Sequence, residues 1–272
     1  MSRGCGGKRF LEYWGSRLQA AVRRGAVAGV VVGILLTAAG ARPVDSAPAG
    51  AEGLLAWWRF DEGRGGKVVE AVRGTADAVT GNFRFVEGVS GTGLKCDGIT
   101  TQVVCKAAGA PRPCEGFTIE AWVAVQAYPW GWCPVVSQRA GRGAGYFFGL
   151  DARGRVGLHL AAGGEWRECN SEAAVPLMEW VHVAGAYDGG SGLAVYINGE
   201  KAGEVGVSGP AAYAADADLL IGRNRQQEPV MFSASWGAPD QAAHFAFDGI
   251  IDEVKMHGRR LAGAEIEELY NS

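Results

Sequence analysis

The clearest pattern of hydrophobic and polar positions lies between residues 180 and 200. Residues 181–187 alternate in side-chain character, which predicts a strand, and residues 193–197 alternate in the same way. Asp188-Gly189-Gly190 separates the two segments, and glycine enters such turns because it adopts positive φ without Cβ strain. Asn198-Gly199 is typical of a two-residue hairpin turn. The pattern therefore predicts an antiparallel meander.

Short apolar segments separated by glycine-rich turns occupy most of the remaining chain from residue 54 to residue 256. Residues 117–123 alternate clearly, whereas residues 68–80 look irregular and residues 223–245 predict a long loop. Residues 261–270 predict one short helix, with Ile266 and Leu269 facing inward. Many short antiparallel strands of this kind are typical of a sandwich or jellyroll.

Several sequence motifs resemble the laminin-G-like (concanavalin A-like) jellyroll family. The central motif is Trp180-x-His-Val-Ala, followed by Tyr-Asp-Gly and Leu-x-x-Tyr-x-Asn-Gly-Glu200. Trp57-x-Arg-Phe-Asp-Glu-Gly and Phe117-Thr-Ile-Glu-Ala-Trp-Val precede it, and Phe247-Asp-Gly-Ile-Ile-Asp-Glu-Val follows it. In this order the motifs cover about residues 53–271. The resemblance implies an all-β antiparallel jellyroll sandwich over residues 53–272.

The first 41 residues resemble an export signal. Basic residues end at Arg23-Arg24, and residues 25–41 carry no charge. A helix of this length reaches only about 25 Å, short of a hydrocarbon core of about 30 Å, so we expect a cleaved signal peptide. The alternative is a membrane anchor through residues 25–41. Residues 42–52 then form a linker, and the product is secreted, periplasmic or at the cell surface.

Charge narrows the range of partners. Residues 1–49 carry a net charge of +5, so the remainder carries −8. An acidic body argues against nucleic acid and anionic lipid as partners, and any membrane contact is expected only through the N-terminal segment.

Five cysteines follow the leader, and an exported chain is in a compartment where disulfides persist. Cys133 and Cys169 flank one meander and could pair. Cys105 and Cys114 flank a Gly/Pro loop and could close it. Cys96 then remains. The alternative is that all five are thiols.

The sequence gives little support for a catalytic site. The same architecture hosts endoglucanases, whose mechanism requires two carboxylates on one strand face. Asp252 and Glu253 are adjacent, which predicts opposite faces, and Glu120 stands alone on its strand. His182 lies within a strand and is expected to be a hydrogen-bonded structural residue. We therefore predict a protein that is not an enzyme.

Calcium is the ion to expect, because relatives on this fold hold Ca²⁺ with aspartates at the rim of the sandwich. Asp61, Asp97 and Asp252 lie at strand ends beside Gly or Glu. The alternative is that each is an ordinary turn aspartate that accepts hydrogen bonds from its own backbone.

Four tryptophans lie in or beside predicted loops: Trp130, Trp132, Trp166 and Trp236. An indole exposed in a loop places apolar surface in water, which is unfavourable. The apolar face of a sugar is one partner that can bury this surface. The alternative is that these rings pack on neighbouring loops.

We expect non-catalytic recognition of extracellular carbohydrate. A protein-interaction or envelope-scaffold domain and a divergent glycoside hydrolase are the alternatives.

Overall fold

The structure is a computed structural model that describes residues 53–223 and 246–272. The predicted leader, the linker, residues 224–245 and Trp236 lie outside the described residues. Within the described ranges, no helix is long and apolar enough to cross a membrane. The elements of these ranges are β1 (Leu54–Trp58), β2 (Lys67–Glu70), β3 (Thr75–Thr80), β4 (Arg84–Glu87), β5 (Thr92–Asp97), β6 (Gln102–Cys105), β7 (Gly116–Val125), β8 (Cys133–Ala140), β9 (Ala144–Leu150), β10 (Arg155–Ala162), β11 (Glu165–Ala174), β12 (Trp180–Asp188), β13 (Gly192–Ile197), β14 (Glu200–Val205), β15 (Leu219–Ile221), β16 (Asp248–His257) and α1 (Gly263–Asn271).

The strands form one continuous hydrogen-bonded path that folds back on itself. The order is β11-β10-β9-β8-β15-β6-β3-β2-β1-β16-β7-β12-β13-β14, and β5 and β4 extend from β16. The two halves of the path pack face to face. The Phe117 and Tyr146 rings lie 5.3 Å apart, and Gly185 of β12 lies against Phe148 and Leu158 of the other half. The predicted all-β antiparallel sandwich is confirmed.

The predicted central meander is also confirmed. β12 pairs with β7 on one side and with β13 on the other. Asn198 and Gly199 have φ values of 51° and 81°, as the two-residue turn requires. Val181, Val183 and Tyr187 belong to the main core.

Residues 68–80, expected to be irregular, instead contain β2 and β3. The alternation of apolar and polar residues that would predict these strands is broken at Asp77. This polar residue occupies an inward position of β3 and is only 7% exposed. Its Oδ2 accepts a hydrogen bond from Trp58 Nε1 at 2.8 Å, which satisfies the buried carboxylate.

The C-terminal helix α1 covers the outer side of β12 and β13. Ile266 and Leu269 are buried, as predicted, in a small cluster that includes Ala184 and Tyr196. Glu265 Oε2 accepts the Ala262 N–H at 2.8 Å and thereby caps the first turn.

Neither predicted disulfide is present, and all five described cysteines are free thiols. Cys133 lies on β8 and Cys169 on β11, with β9 and β10 between them. Three strand spacings of about 4.8 Å exceed the Cα separation of about 7 Å that a disulfide can bridge. Cys105 is buried, whereas Cys114 is exposed. Cysteines at the two ends of one meander are therefore kept apart by the strands between them.

Candidate functional site

The outward sides of β8 to β11 carry an aromatic cluster, which we define as Trp132, Phe147, His159 and Trp166. Phe147 of β9 pairs directly with His159 of β10. Their neighbours Phe148 and Leu158 belong to the main core. Because side chains alternate across a strand, Phe147 and His159 share the side that faces away from the core.

Trp132, the residue immediately before β8, packs on this pair of residues. Its ring centroid lies 4.4 Å from that of His159 and 5.7 Å from that of Phe147, both in edge-to-face geometry. Gly157 provides the space, since a Cβ at that position would approach Trp132 Cζ3 to 2.6 Å. Glycine two residues before His159 therefore seats the indole against the strand.

Trp166 lies on the other side of His159 along β10. It pairs with Ala161, two residues after His159, and its ring centroid is 6.3 Å from the imidazole. Its Nε1 donates to Glu168 Oε1 at 3.0 Å. The Arg139 guanidinium lies 5.6 Å from the Trp166 ring, within cation–π range. Two contacts therefore hold the Trp166 ring: the hydrogen bond from its indole N–H to Glu168 and the cation–π contact with Arg139.

His159 is the polar centre of the cluster. Burial lowers its pKa, and nearby Arg139 adds to this effect, while the hydrogen bond to Asn170 opposes it. A lowered pKa leaves the imidazole neutral at pH 7. Nε2 lies 2.8 Å from Asn170 Oδ1. An amide oxygen can only accept, so Nε2 carries the proton and donates it.

The four tryptophans that the sequence suggested as carbohydrate-binding residues do not lie at one site. Trp132 and Trp166 are half-buried and belong to one cluster around His159. Trp130 is 95% exposed in the loop that precedes β8. Trp236 lies outside the described residues. Half-buried rings with polar neighbours can stack on the apolar face of a ligand and hydrogen-bond its rim.

The three predicted calcium ligands are dispersed between two places, and each accepts hydrogen bonds. Asp61 Oδ1 accepts the Thr92 N–H at 3.0 Å, and Asp252 Oδ2 accepts that of Val89 at 2.8 Å. Both therefore hold the loop between β4 and β5. Asp97 lies at the far end of β5, where it accepts N–H groups of its own turn. Among residues 53–223 and 246–272, no group of three potential ligands could hold a metal ion.

A buried polar network that the sequence did not predict surrounds Glu120. His182 Nε2 lies 3.1 Å from Oε2 of Glu120, which confirms the expectation of a hydrogen-bonded histidine. Lys255 Nζ and His257 Nε2 lie 3.2 Å and 3.7 Å from Oε1. Burial alone would raise the pKa of Glu120, but these three neighbours hold it well below its usual range. The long-range pairing of β7, β12 and β16 creates this network, so local sequence patterns could not reveal it.

The strict alternation from which opposite faces were expected for Asp252 and Glu253 does not hold. The register of β16 shifts between Asp252 and Lys255, and Glu253 has a φ of 50°. This bulge turns Glu253 Oε2 to the Trp57 indole, which donates at 2.8 Å. Strict alternation fails at such a bulge.

Comparisons with solved structures return domains of the same fold. Domain 4 of AbnA, a GH43 extracellular arabinanase from Geobacillus stearothermophilus solved with arabinotriose, is 17% identical, with a TM-score of 0.58 over 80% of this chain and 98% of that one. A Trypanosoma rangeli sialidase mutant with trans-sialidase activity is 18% identical (TM-score 0.56), and the match covers 82% of this chain and 33% of the sialidase.

A third structure is that of botulinum neurotoxin type C, whose cell entry depends on interaction with two ganglioside molecules. It is 12% identical, with a TM-score of 0.56 over 81% of this chain and 51% of the toxin chain. At these identities the likeness concerns the fold. No curated protein sequence matches the chain.

The sequence itself matches a family model over residues 97–267, well over half of the chain. This span runs from Asp97 at the end of β5 into α1, so it contains the central meander and the aromatic cluster. The chain belongs to the laminin-G-like branch of the concanavalin A-like lectin/glucanases superfamily.

Proposed function

We propose that this protein is a non-catalytic carbohydrate-binding domain whose ligand stacks on the aromatic cluster. The observation that carries the proposal is the position of Trp132 and Trp166 on either side of His159 along β10. The two half-buried indoles and the half-buried Asn170 amide combine apolar surface with a hydrogen-bonding group, while the buried His159 imidazole lies between the indoles and bonds Asn170. Sugars present the same combination of C–H faces and hydroxyl rims.

The structural neighbours support this proposal. One was solved with arabinotriose, and another depends on gangliosides for cell entry. These ligands are properties of those proteins, and they make a glycan the first class of ligand to test here.

A non-catalytic role is favoured by the state of the carboxylates. Glycoside hydrolysis requires two carboxyl groups facing one sugar bond. Glu120 and Glu253 both approach the Lys255 ammonium, at 3.2 Å and 3.9 Å. Glu120 is only 1% exposed, however, and it is already bound by His182. A sugar has no access to this pair.

We further propose that the domain acts outside the cytoplasm. Support comes from the sequence of residues 1–41, where basic residues precede an uncharged apolar segment. Mass spectrometry of the N-terminus of protein recovered from its native host tests this part. A start near residue 42 is expected, and an intact Met1 in a soluble cytoplasmic fraction would contradict it.

A glycan array tests binding. The wild-type protein is expected to bind one class of glycan, and Trp132→Ala and Trp166→Ala are each expected to lose that binding. Ile99→Ala is the control, because Ile99 is an exposed apolar residue of the turn between β5 and β6 and does not belong to the aromatic cluster. A folded wild-type protein that binds no glycan, or tryptophan variants that bind normally, would overturn the proposal and favour a protein partner.

A further inference from the structure

Two guanidinium groups and one carboxylate lie at the edge of the aromatic cluster. Arg139 lies 5.8 Å from the Phe147 ring and 5.6 Å from the Trp166 ring. Arg142 occupies the turn between β8 and β9, with Nη2 3.8 Å from Glu168 Oε1. Residues 50–272 together carry a net charge of −8. The edge of the cluster therefore contains two arginine side chains, on a domain whose net charge is negative.

The Arg142 side chain is positioned to exchange partners. It is 76% exposed, and its separation from Glu168 is at the outer limit of an ion pair. Exposed pairs of this kind are weak because water competes with each charge. Glu168 Oε1 is meanwhile occupied by the Trp166 indole N–H at 3.0 Å. Arg142 can leave Glu168 for a ligand without breaking the contact that orients Trp166.

A guanidinium next to an indole face suits one kind of sugar. Its planar fork of N–H donors matches a carboxylate in a bidentate pair, a geometry that hydroxyl groups do not offer. A sugar stacked on Trp166 would bring a ring carboxylate within reach of the Arg142 side chain, because Arg142 and the indole share Glu168 as neighbour. The overall negative charge repels acidic ligands at a distance, so selectivity must come from this short-range contact.

We propose that the aromatic cluster recognises acidic glycans, with Arg142 pairing with the carboxylate of a uronic or sialic acid unit. This inference rests on the proposed carbohydrate-binding function and specifies its ligand class. Arg142 is the residue that determines specificity, while the two indoles provide the stacking surface.

The experiment compares paired ligands that differ only in charge. Full-length protein is titrated calorimetrically with oligosaccharides of hexuronic acid and of sialic acid, each as the free acid and as its methyl ester, beside neutral oligosaccharides. The free acid of one series is expected to bind about tenfold more tightly than its ester. Arg142→Gln is expected to reduce the affinity for the acid to that of the ester. Arg84→Gln, which removes an exposed arginine of β4, is the matched control and should retain the preference.

The outcomes separate the two proposals. Equal affinity for acid and ester, binding of neutral glycans alone, or a preference that survives Arg142→Gln would overturn the acidic-ligand inference and leave carbohydrate binding intact. A folded protein that binds none of these ligands and no glycan on the array would overturn both. Whether the uronate or the sialate series responds identifies the source of the carboxylate.

Discussion

The indole of Trp132 occupies the space that a side chain at Gly157 would fill. A Cβ on Gly157 would lie 2.6 Å from Cζ3 of Trp132 and 2.7 Å from Oδ1 of Asn170. Both distances are below van der Waals contact, so the absence of a side chain on β10 permits the ring and the amide to lie where they do. This relationship links the backbone of β10 to the proposed stacking surface.

Substitution of Gly157 by alanine should displace Trp132 and Asn170 together. We expect Gly157→Ala to weaken glycan binding at least about tenfold while lowering the free energy of unfolding by only about 1–3 kcal/mol, the usual cost of overpacking. Glycan titration and chemical denaturation of the same preparation measure both quantities. Gly206→Ala is the control, because its added Cβ meets no atom within 4 Å. Normal glycan binding by Gly157→Ala would show that the ring position is irrelevant.

The network around Glu120 should stabilise the fold above acidic pH. Its neighbours depress the folded pKa, so its contribution is present above the unfolded value of about 4.5 and is lost as the pH falls towards the folded value. Glu120→Gln should lower the free energy of unfolding by about 3 kcal/mol at pH 7, since Lys255 loses a buried partner. The variant should also flatten the acid limb of the stability curve.

Urea denaturation between pH 2 and pH 7 measures this effect, with Glu172→Gln as the control at an exposed position of β11. If Glu120→Gln and Glu172→Gln had identical stability profiles, the network would make no contribution to folding.

Asp252 should produce the opposite pH dependence in a higher range. Burial raises the pKa of Asp252 to about 7. The backbone N–H groups of Ser90, Glu253 and Val89 oppose this shift, because their hydrogen bonds favour the carboxylate. Between about pH 4 and pH 7 the folded protein retains a proton that the unfolded chain has released. Stability therefore falls as the pH rises through this range, by up to about 1.4 kcal/mol per pH unit.

Asp252→Asn should remove that slope while keeping a carbonyl oxygen for Val89 and Ser90. Thermal melts at half-unit pH steps record the slope in both proteins. An unchanged slope in the variant would assign the titration to another group.

The three rim aspartates should act as hydrogen-bond acceptors without calcium. Asp252 accepts three backbone N–H groups, and a cation would have to displace these donors before it reached the oxygen atoms. We expect the thermal midpoint to shift by less than about 2 °C on exchange from excess Ca²⁺ to a chelator. A larger shift that Asp61→Asn abolishes would establish a calcium site at the β4–β5 loop instead.

Local patterns in the sequence predicted most of the fold. Alternation located β7, β12 and β13, and Asn198-Gly199 located the hairpin, because these signals depend on neighbours along the chain. The β2–β3 pair was missed because Asp77 takes an inward position that only the distant Trp58 indole satisfies. The Cys133–Cys169 pairing failed because β8 to β11 pair in chain order, so that β9 and β10 lie between the two cysteines.

The sequence identified two residues of the candidate site but did not predict how they are arranged. Trp132 and Trp166 stood out as loop-adjacent indoles, but their shared contact with His159 depends on the register of β10 with β9 and β11. Gly157 gave the one local signal of a close approach, a glycine within a strand. Arg139, Asn170 and Glu168 had no distinguishing pattern in the sequence.

The most direct test of the central claim observes the tryptophan side chains while a ligand binds. The chain has nine tryptophans, whose indole N–H resonances are resolved by isotope labelling and assigned by single Trp→Phe substitutions. During titration with the glycan selected on the array, the resonances of Trp132 and Trp166 should shift, while those of Trp57, Trp122 and Trp180 stay fixed. Shifts confined to Trp57, Trp122 or Trp180, on the half of the fold that carries α1, would contradict the assignment of the binding site.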